Sequence, residues 1–279
     1  MRKIPEKLII EKVAELAILA NTRLRKDVLQ VLKKTLPMEK NALAGKALKA
    51  IMMNAEIASK EKLAICQDTG MPIVFVEIGN NVSVKRNLAD IIDKGIEKGY
   101  RRGYLRASVQ KNPLLRNKKL SFTPAITHID IVKGNKLKIT VLPKGFGSEN
   151  KSMAKMMNPT ARLEEIDDFI VESVHAAGAQ ACPPYFIGVG IGGTQDAACL
   201  LAKKALLEPF TKSNKDKDLA AMQKRLIDKI NRLNIGPFGF GGKNTALGLN
   251  IKTFPTHIAG LPVAVNISCH ALRSASAII

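Results

Sequence analysis

The spacing of apolar residues changes period along this chain, and that change excludes both an all-helical and an all-strand fold. Between about residues 4 and 59 the apolar positions recur at helical spacing: Leu8, Ile9, Val13, Leu16 and Leu19, then Val28, Val31 and Leu32, then Leu43, Leu48, Ile51 and Met52. This opening predicts a helical subregion. A β-branched run follows from Ile73 to Ile78, and helical spacing returns from Leu88 to Leu105 with cations near its end. From Thr127 to Leu142 the period drops to two, with Ile129 and Ile131 against Asp130, and Leu137, Ile139 and Val141 against Lys138 and Thr140. Gly134-Asn135 at the centre makes this a predicted β-hairpin over 127–142.

Further along, Asn158-Pro159-Thr160 signals a helix start, and the helix should run to about Ala177 and stop near Gly178. Tyr185 to Gly190 reads as a strand, 194–207 as a helix, Lys212 to Lys217 as a polar loop and the segment up to Leu233 as another helix. A glycine-rich loop from Gly236 to Gly248 precedes a strand from Leu261 to Ile267. No repeat or low-complexity linker interrupts the pattern. The expectation is one helix-rich α+β domain over residues 1–279, with small mixed and antiparallel sheets.

A chain of 279 residues with 46% hydrophobic content can bury a sizeable core, which excludes intrinsic disorder. No apolar run approaches the roughly 20 residues of a membrane span, and residues 1–7 lead into an amphipathic helix rather than a signal-peptide core. A soluble cytoplasmic protein is expected. Forty-four Lys and Arg against 24 Asp and Glu give a net charge of +20, which suits nucleic acid, an acidic partner or an anionic substrate. Only 4% of residues are aromatic, so stacking platforms for single strands are lacking and an acidic partner subunit is preferred.

Four segments break the helix-and-strand pattern: Cys66-Gln67-Asp68-Thr69-Gly70, the loop 144–150 (Lys-Gly-Phe-Gly-Ser-Glu-Asn), Cys182-Pro183-Pro184, and Ile267-Ser268-Cys269-His270. The first sets a thiol, an amide and a carboxylate side by side ahead of a turn glycine. The double proline after Cys182 stiffens the backbone and holds that thiol in an extended segment. Cys199, among Ala197, Ala198, Leu200 and Leu201, reads as a small buried hydrophobe. Scattered cysteines favour reduced thiols or metal ligands over disulfides. Zinc sites usually show paired spacings such as C-x-x-C, and a ferredoxin needs a fourth clustered cysteine. Three thiolates with one open metal position suit catalysis instead.

Gly188-Val189-Gly190-Ile191-Gly192-Gly193 satisfies G-x-G-x-x-G between a strand and a helix, the fingerprint of dinucleotide binding. Glu208-Pro209 then opens a polar loop where a second strand bearing an acid is required, so close strand–helix packing or an anion-binding turn is the better reading. Gly239-Phe240-Gly241-Gly242-Lys243 hints at a phosphate loop, but Pro237 stands where its first glycine belongs, which leaves a flexible turn.

Taken together, Cys66-Gln67-Asp68-Thr69-Gly70, the 144–150 loop, Cys182-Pro183, the segments 190–194 and 241–247, and His257-Ile258-Ala259-Gly260-Leu261-Pro262 with Cys269 closely resemble the class I fumarate hydratase and L-tartrate dehydratase family. The chain resembles the alpha subunit of the two-subunit forms, equivalent to the N-terminal domain of the single-chain fumarases. The resemblance implies a [4Fe–4S] cluster held by Cys66, Cys182 and Cys269, with one iron not ligated by cysteine. It implies substrate contacts from Gln67, Arg106 in a basic helical segment, Gly147 and His257, and an acid/base role for Asp68. His270 would support the cluster from behind, whereas His128 and His175 receive no function. Phe146 departs from the family's run of small residues in its loop.

The implied activity is a hydro-lyase, the reversible hydration of fumarate to L-malate, with L-tartrate or a related diacid as the alternative. The family's remaining substrate-binding residues belong to a beta subunit, so this chain alone should be inactive and should assemble as a dimer of heterodimers. Outside this reading stand a basic nucleic-acid-binding or scaffold protein without a cluster and a dinucleotide-dependent oxidoreductase.

Overall fold

A computed structural model describes residues 1–115 and 120–279. In chain order the elements are β1 (Arg2–Lys3), α1 (Glu6–Thr22), α2 (Lys26–Thr35), α3 (Ala42–Glu61), β2 (Met71–Gly79), β3 (Val82–Ser83), α4 (Leu88–Arg102), β4 (Val109–Gln110), β5 (Leu120–Ser121), β6 (Ile126–Val132) and β7 (Leu137–Lys144). There follow α5 (Phe146–Glu149), β8 (Met153–Met157), α6 (Leu163–Ala177), β9 (Tyr185–Gly192), α7 (Gln195–Ala205), α8 (Lys217–Asn231), β10 (Ala246–Phe254), β11 (Leu261–Ser268) and β12 (Ala275–Ile278). The α+β class and the helical opening are as the periodicity dictates. Among the described residues no helix is long and apolar enough to cross a membrane.

The chain divides into two compact units, the first made of Met1–Arg25, Asn54–Phe146 and Arg273–Ile279, the second of Lys26–Met53 and Gly147–Leu272. In the first, a sheet of order β12-β7-β2-β6 packs Val74, Val76, Leu137, Ile139 and Val141 against Ile9, Val13 and Leu16 of α1 and Ile91, Ile92 and Ile96 of α4. The two helices approach so closely that a Cβ on Gly95 would lie 2.6 Å from the Val13 Cβ, and one on Gly99 2.7 Å from the Ala14 carbonyl oxygen. Bare glycines are what allow that spacing.

Both strands expected over 127–142 form, but they do not pair with each other. β2 lies between them, antiparallel to β7 and parallel to β6, so the Gly134-Asn135 turn spans a third strand. Alternation reports which face a residue occupies and is silent on which neighbour it bonds. The predicted helix start at Asn158 also moves. The Asn158 side chain accepts from the Thr160 amide at 3.0 Å and closes a turn, and α6 begins only at Leu163.

The second unit is layered. A sheet of order β10-β9-β11-β8 carries α6 and α8 on one face, where Ile166, Ile170, Val174, Leu226 and Ile230 meet Ile187, Val189, Leu249, Val265 and Ile267. On the other face α7 lies against the glycines of β9: a Cβ on Gly188 would sit 2.1 Å from the Ala202 carbonyl oxygen, and one on Gly190 2.0 Å from that of Ala198. The glycine motif is therefore a packing surface, as the packing alternative requires. Its parallel neighbour β10 carries no acidic residue.

α6 and α8 are joined by a buried carboxylate. Asp167 accepts from Arg225 through both oxygens, at 2.7 and 3.1 Å, and from Lys229 at 3.1 Å. Burial by itself raises the Asp167 carboxyl, but the Arg225 and Lys229 bonds outweigh it and hold the group below the usual carboxylate range. A depressed folded-state value stabilises the fold above the unfolded carboxylate value of about 3.9 and is lost as pH falls through the lower folded one. Asp167→Asn should therefore be less stable than the parent at neutral pH, with the gap in urea midpoint closing below about pH 4. A gap of constant size down to the most acid pH would contradict this account.

Candidate functional site

In the first unit, the loop between α3 and β2 carries Cys66, Gln67 and Asp68, and the backbone on either side of Cys66 and Gln67 is held. The Ile65 amide donates to the Asn21 carbonyl at 2.9 Å, and its carbonyl accepts from the Asn54 amide group at 2.9 Å. The Tyr100 hydroxyl lies 3.0 and 3.1 Å from the carbonyl oxygens of Thr69 and Gly70. Burial pushes that phenol up, which keeps it a donor. The Asp68 carbonyl accepts from the Arg273 guanidinium. Gly70, at φ +76°, admits the neighbouring strand: a Cβ there would fall 2.7 Å from the Pro143 carbonyl carbon.

Asp68 accepts from the Gly70 amide at 3.0 Å through one oxygen and from the Phe146 amide at 2.8 Å through the other. The turn-capping alternative for this carboxylate is thus realised, and it joins the Cys66–Gly70 loop to the start of the 144–150 loop. Thr69 makes the second junction, its hydroxyl accepting from the Arg106 amide at 3.0 Å. Arg106 is exposed and lies past the end of α4, beyond Gly103, so the helical placement expected for it is corrected: α4 stops at Arg102 and Arg106 stands outside any helix or strand. One unit therefore gathers Cys66, Gln67, Asp68 and Arg106. Cys66 and Asp68 are half-buried and Gln67 is exposed.

The second unit gathers Cys182 and Cys269. The His270 Nδ1 lies 3.0 Å from the Cys182 carbonyl oxygen and its amide donates to the same oxygen at 3.4 Å. A carbonyl only accepts, so Nδ1 carries the proton. Burial raises the Tyr185 phenol, Cys182 and Cys269 add to that rise, and a bond at Ala181 opposes it. Cys182 takes φ +55° rather than the extended form expected ahead of proline, because its amide closes a turn onto Ala179 at 3.3 Å.

The glycine-rich segment read as a flexible turn is instead part of this support. The Phe238 amide donates to Pro183 at 2.9 Å, the Phe238 ring meets His270 edge-on at 5.1 Å, and Gly236 faces the Gly241 carbonyl where no Cβ fits. Phe238 escaped the sequence reading, as did Tyr100 and Arg273. The signal for Phe238 was an aromatic inside a glycine run that also supplies left-handed backbone.

Gly147 and His257 stand on other loops of the second unit. A Cβ on Gly147 would meet nothing within 4 Å. Its short helix is anchored by Glu149, which pairs with Lys203 and accepts from Asn266 at 3.1 Å. His257 sits in an exposed turn, its Nδ1 accepting from the Ala259 amide at 3.2 Å, which leaves Nε2 as the donor of the neutral ring. Thr256 ties that turn to the Gly193 carbonyl at 3.0 Å.

None of the four cysteines is in a disulfide. Cys199 is half-buried on α7, where burial pushes its thiol up against the pull of Lys203, the surroundings of an inert sulfur. Among the described residues no three His, Cys, Asp or Glu side chains form a preassembled metal cage. What the chain does offer is Cys66, Cys182 and Cys269 borne outside helices and strands, and thiols are the donors an iron–sulfur cluster uses.

The family model described as Fumarate hydratase (Fumerase) matches residues 10–278, and the chain belongs to that family. A protein of Methanocaldococcus jannaschii with the provisional name L(+)-tartrate dehydratase subunit alpha is 39% identical over 274 residues, covering 96% of each chain. L(+)-tartrate dehydratase subunit alpha of Escherichia coli K12 is 27% identical over 266 residues, covering 94% of this chain and 88% of its own.

The close approach at Gly70 yields a test. Gly70→Ala adds a methyl group where backbone already stands, at a left-handed φ, and should lower stability by about 2 kcal/mol or more in urea unfolding. An unchanged midpoint would show that the loop does not need the glycine.

Proposed function

We propose that this chain is the alpha subunit of a [4Fe–4S]-dependent hydro-lyase that hydrates fumarate reversibly to L-malate, with Cys66, Cys182 and Cys269 as cluster ligands. The observation that carries the reading is the pair of bonds from His270, the residue after Cys269, to the Cys182 carbonyl, in a chain matched by the fumarate hydratase family from residue 10 to 278. When bound, the cluster supplies a Lewis acid through its iron without a cysteine ligand, which eases departure of hydroxide from carbon. Every other contribution comes from side chains of the protein.

Arg106, exposed at the end of its strap to Thr69, binds a substrate carboxylate, and the exposed Gln67 donates through its amide group. His257 offers Nε2–H to a second carboxylate oxygen, and bare Gly147 leaves space for the substrate against the backbone. Asp68, oriented by the amides of Gly70 and Phe146, keeps lone pairs with which to exchange the proton of the neighbouring carbon. The relatives' names, each a subunit alpha, support a beta subunit that completes the site in a dimer of heterodimers, and the +20 charge suits an acidic partner. A cytoplasmic setting accords with free thiols.

A second reading rests on the same names: both relatives carry L(+)-tartrate dehydratase in theirs, so L-tartrate is the competing substrate. Anaerobic co-expression with the beta subunit, followed by iron and sulfide analysis and assays on both diacids, separates them. Iron and sulfide with fumarate hydration support the first reading; turnover of L-tartrate alone selects the second. Absence of iron and of turnover on both removes the hydro-lyase reading, and salt-sensitive nucleic-acid binding without iron would replace it. Within the holoenzyme, Cys182→Ser should abolish iron–sulfur absorbance and activity while Cys199→Ser spares both. Asp68→Asn should keep the absorbance and lose turnover by about 100-fold or more.

A further inference from the structure

β6 is the outer strand of the sheet β12-β7-β2-β6, and among the described residues no strand lies beyond it. Its exposed side chains are mostly aliphatic: Ile126, Ile129, Ile131 and Val132 are all exposed, Ile131 by 78% of its surface. Proteins usually guard such an edge with lysine, proline, a bulge or a short strand, because its open amides and carbonyls template further pairing. The other edges of the two four-stranded sheets carry such guards: Lys155 stands in β8, Lys252 in β10, and β12 is four residues long. β6 runs for seven residues in unbroken register with β2 and holds no lysine, proline or glycine.

The backbone shows how a further strand docks. The Val132 carbonyl turns inward and accepts from the Asn80 amide at 2.8 Å. Backbone groups point to alternate sides of a strand, so those of Thr127, Ile129 and Ile131 face outward. A second copy related by a two-fold axis docks antiparallel, with the axis passing through one pair of identical residues. An axis on His128 sets Ile126 against Asp130, and an axis on Asp130 sets two carboxylates together. On Ile129 it sets Ile129 against itself, Thr127 against Ile131, Ile126 against Val132, and His128 of each copy against Asp130 of the other. Both His128 and Asp130 pairs then fall at the positions without hydrogen bonds, where side chains across a ladder come closest. The His128 ring is held in place by stacking on Phe75 at 5.2 Å.

We propose that β6 is the contact between two copies of this chain: the strands pair antiparallel about Ile129 and join two four-stranded sheets into one. A second copy is the partner that matches each aliphatic position with another and each imidazole with a carboxylate. The contact supplies the alpha-to-alpha pairing of the dimer of heterodimers and rests on that reading for nothing else. It asks nothing of the cluster, so a preparation without iron still forms it.

The test uses the co-purified two-subunit protein, with molar mass read by light scattering over a dilution series and iron measured in parallel. The parent should hold a pair of alpha chains. Ile129→Lys sets like charges opposite each other on the axis and should weaken the pairing at least about 100-fold, leaving a single alpha chain per assembly. Ile131→Lys serves if that variant fails to fold, with the same outcome expected. Asp130→Lys should weaken the pairing about tenfold, and adding His128→Glu should bring it back to within about threefold of the parent, because the exchanged charges then face each other across the axis. A parent with a single alpha chain at every concentration, or a mass that the lysine variants leave unchanged, overturns the proposal. So does a charge exchange that deepens the loss instead of repairing it. Release of the beta subunit with the alpha pair intact also overturns it and assigns the edge to that subunit. A parent that pairs through β6 without iron counts against the cluster reading alone, whereas an iron-loaded parent indifferent to these substitutions refutes only the β6 contact.

Discussion

The loops that bear the candidate ligands are held by hydrogen bonds to their own backbone, and this constraint governs everything the site can do. A carbonyl or amide buried without a partner costs a few kcal/mol, so a loop threaded into the protein must find a donor or acceptor at almost every residue. Ile65, Asp68, Thr69 and Gly70 find such partners in Asn21, Asn54, Arg273 and Tyr100, and around Cys182 they are Ala179, His270 and Phe238. Each loop has been given one shape before any ligand arrives. Preorganisation of this kind is what lets a metal centre form without reordering the chain that receives it.

Thin packing is the second theme, and it is the same in both units. α1 meets α4 over Gly95 and Gly99, and α7 meets β9 over Gly188 and Gly190, each time with backbone where a side chain would otherwise stand. Such approaches leave little room for adjustment, since interiors are close-packed and transmit displacement. In the second unit the last glycines of β9 lead directly into the Gly193 turn that carries the His257 loop through Thr256.

Much of this was legible in the residues. Periodicity placed the helices and most strands, and the cysteines stood out because they interrupted it. Strand partners were not legible: nothing in Ile126–Val132 or Leu137–Lys144 says that β2 will lie between them, because register with a remote strand is decided by the whole sheet. β8 escaped because its residues are mostly exposed and their pattern lacks alternation, and β10 because Gly248 and Asn250 dilute its apolar run. Arg273 escaped for a different reason. Among 44 basic residues burial sets apart Arg273 and Lys144, and burial is a property of the fold.

The order in which the first unit is assembled from the chain has a consequence for biosynthesis. Its sheet is completed by β12, which pairs with β7 across Ala275↔Val141 to Ile278↔Lys138, and the larger segment of the second unit, Gly147–Leu272, is encoded between those partners. While a ribosome is still translating that stretch, β7 has an open edge and Arg273 has not yet been made. Partners this remote in sequence close slowly and late. Completion of the first unit's sheet therefore waits for translation of Gly147–Leu272, so that a truncated nascent chain presents a bare strand edge to chaperones.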